Sequence, residues 1–402
     1  MTPWLSVVGI GEDGLAGLTP AARALVDGAA VLIGGDRHLA MVPDDGRERL
    51  PWPSPLKAIR PELERRRGRP VCVLATGDPQ WYGVGARLCR WFDRDEISIV
   101  PAPSAFSLAC ARMGWSLPDI EVLTLHGRPL ATLAAHLYSG ALLLALTENG
   151  ETPMRAARLL CSLGYGDSRL TVLEQMGGPR ENTVAATAAA WGDRSAAALN
   201  TLAIECVAGP DAALLPRVPG LPDEAYRHDG QLTKREVRAA TLAALSPIPG
   251  QLLWDVGAGC GSVAIEWLRG ALGARAVAVE RDPGRAKLIA DNANALGTPL
   301  LTIVERTAPE ALGGLDRPDA VFVGGGLTAD GLLDVCWQAL APGGRLVANA
   351  VTIEGERALF ECRDRIGGGL TRIAVSHAKP LGSFTGWRPS LPVTQLSARK
   401  RG

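Results

Sequence analysis

The sequence has no surplus charge of either sign, because 42 basic and 42 acidic side chains cancel over 402 residues. Nucleic-acid-binding modules normally carry a clear basic excess, and neither half has one when the chain is divided at residue 222, with 21 basic against 23 acidic residues before it and 21 against 19 after it, so no nucleic-acid partner is expected. Long apolar runs are missing as well. The longest aliphatic stretch is Ala141–Leu146, against the roughly 20 residues that span a bilayer, which excludes a transmembrane helix and a membrane partner. The chain opens Met-Thr-Pro-Trp-Leu-Ser, with no basic segment ahead of an apolar one, and a cytoplasmic location is expected. The eight cysteines contain no CxxC pair and the five histidines are dispersed. No metal site is expected from that spacing, and the cysteines read as buried thiols in a reducing compartment. Lysine is scarce, at 5 residues against 37 arginines. Planar arginine suits a polycarboxylate ligand, although an Arg- and Ala-rich coding bias produces the same composition without any function.

What is present is an alternation of short apolar runs and amphipathic stretches, the pattern of parallel sheets covered by helices. Strands are expected at 5–10, 31–33, 71–75, 97–100, 121–125, 141–146, 169–175 and 201–206, and again at 251–256, 275–279, 301–305, 320–323, 345–350 and 370–376. Thr19-Pro20 pairs an N-cap residue with proline at the first helical position, which starts a helix that runs to Gly28. Between Ala208 and Gly230 the pattern fails, with Gly209-Pro210, Pro216, Pro219-Gly220 and Pro222 leaving little room for a regular element. The length suits two units, expected at 1–208 and 222–402 with a linker at 209–221.

The clearest chemical signal is Leu-Leu-Trp-Asp-Val-Gly-Ala-Gly-Cys-Gly-Ser, residues 252–262. A strand ends at Asp255-Val256, glycines follow at Gly257, Gly259 and Gly261 around Ala258 and Cys260, and a helix starts at Ser262. Such a loop lets a ligand approach backbone N–H groups at a helix N-terminus. The next strand ends in Glu280, nineteen residues beyond Gly261, where a carboxylate can accept both ribose hydroxyls of an adenosine. Dinucleotide sites usually read GxGxxG, whereas the spacing here is GxGxG. Asp282 and Pro283 then open a helix whose apolar face is Ala286, Ile289, Ala290, Ala293 and Leu296.

This arrangement resembles motif I of the class I S-adenosylmethionine-dependent methyltransferases, a Rossmann-like α/β fold. Ala308-Pro-Glu-Ala-Leu, residues 318–326 and residues 340–347 follow in the expected order. Together with Asp229-Gly-Gln-Leu-Thr-Lys-Arg-Glu-Val-Arg238, the segment resembles the cobalamin-pathway methyltransferase family that acts on carbon 15 of precorrin-6B and removes the ring C acetate carboxyl. The resemblance covers residues 222–350 and implies that Thr233 and the glycine loop lie against the cofactor. Read from the residues alone, Thr233 caps a helix over 234–245 and Glu236 completes a capping box. Arg235 and Arg238 share a face, either solvated or turned toward substrate carboxylates.

In the first half, Val7-Val8-Gly9-Ile10-Gly11-Glu12-Asp13-Gly14 makes a strand-to-loop turn, but no acid ends the following strand. Leu74-Ala-Thr-Gly77-Asp78-Pro-Gln-Trp81-Tyr-Gly83, Val100-Pro-Ala-Pro-Ser104-Ala105-Phe-Ser107, Leu125-His-Gly-Arg128 and Glu174-Gln-Met-Gly-Gly-Pro-Arg-Glu181 resemble the class III tetrapyrrole methyltransferases over about residues 3–206, closest to the branch that methylates carbon 5. The resemblance implies two α/β lobes with S-adenosylmethionine in the cleft between them, lined by Gly11, Gly77, Asp78, Trp81, Ser104 and Ala105. Gly11-Glu-Asp-Gly14 departs from the usual Gly-Pro-Gly of that loop. His126 is a candidate acid–base group by its titration range, or a structural histidine beside Gly127. His38 is a weaker one.

Taken together, the resemblances imply two C-methylations and a decarboxylation of a tetrapyrrole by a homo-oligomeric enzyme. Methyl transfer from a sulfonium needs alignment and exclusion of water rather than a catalytic constellation, and none is assigned. Two other readings stay open. A nicotinamide-dependent oxidoreductase in the second half would be stabilised by a dinucleotide rather than by S-adenosylhomocysteine. A non-catalytic tetrapyrrole carrier would bind its ligand without consuming S-adenosylmethionine.

Overall fold

The computed structural model describes residues 3–401, which fall into two units. One holds the chain up to Arg128 together with Ser139–Ala212, and the other holds Pro129–Tyr138 together with the chain from Ala213 onward.

The first unit contains two sheets. In the first, β1 (Leu5–Ile10), β2 (Val31–Gly34), β3 (Glu48–Pro51), β4 (Val71–Thr76) and β5 (Ile97–Val100) run in the order β3-β2-β4-β1-β5, and all pairs are parallel. β1 and β2 are buried throughout, which is why they read as continuous apolar runs rather than alternating ones. The helix Pro20–Asp27 starts as expected, with the Thr19 hydroxyl accepting from the Ala22 amide. The second sheet orders β6 (Glu121–Thr124), β7 (Leu142–Leu146), β8 (Arg169–Glu174), β9 (Asn182–Thr187) and β10 (Asn200–Glu205) as β6-β7-β10-β8-β9. Only β6 and β7 pair parallel here, and β7, β10, β8 and β9 pair antiparallel in that succession. Alternation alone does not distinguish these from parallel strands, because β8 and β10 are also buried nearly throughout.

The second unit holds a seven-stranded sheet and a separate hairpin. Its strands are β11 (Leu252–Val256), β12 (Arg275–Glu280), β13 (Thr302–Glu305), β14 (Ala320–Val323), β15 (Arg345–Ala350), β16 (Gly369–Ile373), β17 (Ser376–Leu381), β18 (Phe384–Pro389) and β19 (Val393–Arg399). The sheet order is β13-β12-β11-β14-β15-β19-β16, with β17 and β18 paired only to each other. The strands are parallel up to β15, and β19 lies antiparallel to both of its neighbours. Leu252, Trp254 and Val256 enter the core on one face of the sheet, and Leu253 enters the opposite core with Ile265, Trp267 and Ile289. This is a doubly wound sheet, whose strand order turns back between β11 and β14, where open α/β sheets place ligands.

Two local expectations are corrected. The helix begins at Arg235, one residue later than expected, with Lys234 at the N-cap and no side-chain cap bond. Thr233 lies outside it, so the capping box with Glu236 does not form. The thiols are free, but Cys89, at the end of the helix Gly85–Leu88, and Cys161, on the helix Thr152–Ser162, are exposed rather than buried. No helix among the described residues is long and apolar enough to cross a membrane.

Candidate functional site

In the second unit the chain leaves β11 at Val256 and turns at once. Gly257 has φ +69°, and a Cβ on it would sit 2.7 Å from the backbone of Gly325, so only glycine lets the loops after β11 and β14 pass in contact. The loop is then tied to β12, because the Gly257 amide donates to the Val279 carbonyl at 2.9 Å and the Gly259 amide to Glu280 Oε2 at 2.9 Å. Gly261 enters the helix Ser262–Gly270 with φ +81°.

Around this loop lies a cavity of about 900 Å³. Of the residues expected at a cofactor, Thr233, Gly257, Ala258, Gly259, Glu280 and Ala308 line it, and Asp255, Cys260 and Gly261 do not. Those three sit behind the loop. Cys260 belongs to the core, and burial pushes its thiol up to about 11. Asp255 is buried, with Oδ2 accepting from the Ala264 amide at 2.9 Å and Oδ1 without a partner. Burial pushes its carboxyl from 3.8 up to about 7, opposed by the Ala264 amide and assisted by the charge of Glu280.

The folded chain therefore holds the Asp255 proton more tightly than the unfolded chain. That preference stabilises the fold fully below the ordinary carboxylate range and is lost as pH rises through about 7. Asp255→Asn cannot titrate. Its melting temperature relative to the unsubstituted chain should climb steadily from about pH 4 to about pH 8, and a difference that stays constant in thermal scans across that range rejects the shift.

The cavity residues fit an adenosine. Glu280 is 5% exposed and, among the described residues, accepts two bonds, from the Gly259 and Asp282 amides. A carboxylate has about four acceptor sites, so two remain for a pair of vicinal hydroxyls.

The arginines expected at a substrate are placed differently. Arg238 is fully buried, with Nε 2.5 Å from Glu266 Oε1, Nη1 3.2 Å from Asp223 Oδ1, and its guanidinium 4.8 Å from the Tyr226 ring centroid. Its charge is consumed inside the fold, and it does not line the cavity. Arg235 is exposed and does not line the cavity either. Sequence reasoning missed the arginines that do, Arg281, Arg285 and Arg306. Arg285 is held by Asp229 at 2.8 Å. Arg281, directly after Glu280, was the one a local reading could have found.

In the first unit, Gly11, Gly77 and Ala105 line a second cavity together with Thr76, Gln175 and Met176. Gln175 has φ +46°, and its Oε1 is buried without a partner, as suits a ligand that donates a hydrogen bond. The enclosed space is only about 50 Å³, which admits water but not a nucleoside, so the groups fit in kind while the space does not. Asp78, Trp81 and Ser104 lie outside this lining. Asp78 accepts from the Gln80 amide, Ser104 caps the helix Ala105–Met113, and the half-exposed Trp81 stands 6.0 Å from Phe106. His126 is exposed. His38 is buried between Arg37 and Thr76, and burial, then Arg37, brings its ring down to about 4. A neutral, structural histidine is the outcome there.

Comparison with known proteins bears on the whole length. Residues 5–191 match the family described as tetrapyrrole (corrin/porphyrin) methylases, and residues 224–400 match the precorrin methyltransferase domain. A precorrin-6Y C(5,15)-methyltransferase [decarboxylating] from Sinorhizobium sp. is 48% identical over 401 residues, 100% of this chain and 97% of that one. The chain belongs to the precorrin-6Y C(5,15)-methyltransferase family. A second family member, from Mycobacterium tuberculosis, is 44% identical over 98% of this chain and 99% of its own. The crystal structure of the C-terminal domain of the precorrin-6Y C5,15-methyltransferase from Rhodobacter capsulatus shares 46% identity with a TM-score of 0.44, covering 46% of this chain and 100% of that domain.

Proposed function

We propose that this chain is a bifunctional S-adenosylmethionine-dependent C-methyltransferase that methylates carbons 5 and 15 of precorrin-6Y and decarboxylates the ring C acetate, giving precorrin-8. Family membership over the full length supports the overall reaction. Carbon 5 is assigned to the first unit and carbon 15 to the second on the resemblance of each half, and the two family matches are consistent with that division. The observation that carries the reading in the second unit is the buried Glu280 carboxylate, with two acceptor sites left over, on a cavity wall beside the glycine loop. A cytoplasmic location is proposed from the sequence, which carries no long apolar run, and self-association from the family resemblance.

S-adenosylmethionine, when bound, supplies a methyl group on an electrophilic sulfonium. The chain's own residues do the rest. Glu280 fixes the nucleoside, the side-chain-free glycine loop lets it approach closely, and the cavity walls keep water from the reacting carbon. Arg281, Arg285 and Arg306 set positive charge around a substrate rich in carboxylates. Asp255 and Gly261 act from behind by holding the loop's shape.

The test is incubation of the full chain with precorrin-6Y and methyl-labelled S-adenosylmethionine. Two labelled methyl groups and one carbon dioxide per tetrapyrrole are expected. Glu280→Ala should lose the carbon 15 methyl and the carbon dioxide together, by at least about tenfold when hydrogen bonds worth about 1.5–3 kcal/mol are removed, while the carbon 5 methyl is retained. A product with two methyl groups from that variant at the unsubstituted rate rejects the assignment.

A further inference from the structure

The decarboxylation contains a step that methyl transfer does not explain. When the bond between the acetate methylene and its carboxyl breaks, carbon dioxide leaves and the electron pair enters the conjugated ring, which methylation has made electron-poor. To become a methyl group the methylene carbon must then take that pair back as a C–H bond, and this requires a proton.

Among the described residues, the polar side chains lining the 900 Å³ cavity include lysine, arginines, glutamates, serines, threonines and amides, with no cysteine, tyrosine or aspartate. Histidine is the side-chain type that gains and loses a proton around neutrality, and the lining holds one, His377. It stands on β17, opposite Arg388 of β18, where the root of the hairpin joins the cavity wall through Val375, Ser390 and Leu391. Its Nε2 lies 4.0 Å from Glu236 Oε2, on the first turn of the helix Arg235–Leu245. Both side chains are about half exposed, so the ring reaches solvent on one side and the cavity on the other. Glu236 stands beside it, and Lys234, Glu280, Arg281, Arg285 and Arg306 share the cavity lining with it.

We propose that His377 is the proton donor of the decarboxylation half-reaction, with the Glu236 carboxylate beside it as a countercharge to the imidazolium. The proposal rests on the function assigned above. The imidazolium gives its proton to the methylene carbon, the C–H bond forms from the pair left by carbon dioxide, and the neutral ring is reprotonated from solvent through its exposed edge. A hairpin that contributes no strand to the seven-stranded sheet thereby acquires a reason to stand at the mouth of the cavity.

The experiment uses the full chain, precorrin-6Y and isotope-labelled S-adenosylmethionine. Magnetic resonance follows the two new methyl carbons separately, and chromatography follows the finished product carrying the ring C methyl. His377→Gln keeps size and hydrogen bonding but carries no transferable proton. It should add the carbon 15 methyl at a rate within about threefold of the unsubstituted chain, while the finished product forms about 10²-fold more slowly, the effect of removing a general acid. His377→Ala should show the same division. Product formation that keeps pace with methyl transfer in His377→Gln overturns the proposal, and so does a parallel loss of both, since the ring would then be idle or needed only for binding. If the unsubstituted chain releases no carbon dioxide, the assigned function fails first and takes the proposal with it.

Discussion

Arg238→Ala should lower the stability of the second unit by about 3–5 kcal/mol, the range for removing one partner of a buried ion pair. Glu266 is 2% exposed and already accepts from the Gly220 and Leu221 amides and the Tyr226 hydroxyl, but without Arg238 it loses the guanidinium bonded directly to it. The Leu221 carbonyl would lose its guanidinium donor as well. The effect should be read from the denaturant or thermal transition of the second unit, followed separately because a chain of two units need not unfold in one step. Since Arg238 does not line the cavity, the folded variant should keep its KM for the tetrapyrrole at low temperature. A raised KM with unchanged stability would return Arg238 to the substrate side.

Gly9→Ala should cost the first unit its chemistry and spare the second. A Cβ at Gly9 would lie 1.9 Å from the Gly77 carbonyl oxygen and 2.5 Å from the Ala102 amide nitrogen. These are backbone atoms that cannot rotate away, and they are bonded to each other at 3.1 Å. Overpacking of that kind costs about 1–3 kcal/mol or more. Its main consequence lies in placement, because Gly77 lines the cavity of the first unit, and a shift of about 1 Å in a positioning segment can cost about 10²-fold in rate. The variant should deliver a tetrapyrrole methylated only at carbon 15 and decarboxylated, seen as one labelled methyl by mass. Equal slowing at both carbons would show that the damage is not local.

The parts of the molecule that a sequence discloses are those whose causes are local. The glycine loop, Glu280 and the helix opened by Asp282-Pro283 were legible because strand, turn, cap and helix follow within thirty residues, and each is set by its neighbours in the chain. β3 and β9 were not expected, since Glu-Arg-Leu-Pro and Asn-Thr-Val-Ala-Ala-Thr at sheet edges show little apolar content. β19 escaped for a different reason. It occupies an interior place with Thr394 and Gln395 buried, and Gln395 donates to Thr241 and Asn349, groups far away in the chain. The site divides in the same way. Arg238 looked like a surface arginine because Glu266 and Asp223, which neutralise it, are 28 and 15 positions away. His377 looked like one of five scattered histidines because only the fold brings Glu236 beside it.

The place of β19 also bears on how the chain is made. It is synthesised after β16 yet stands between β15 and β16, so during translation the growing sheet must wait with β15 as an open edge, and β16 has no partner until the last strand arrives. Domains generally fold in the order they leave the ribosome, and an unpaired edge is an invitation to aggregation. The second unit should therefore be the part most dependent on chaperones in the nascent chain. Premature termination between Pro389 and Val393 would delete β19 and strand β16 as well, so that two strands of the sheet are lost together.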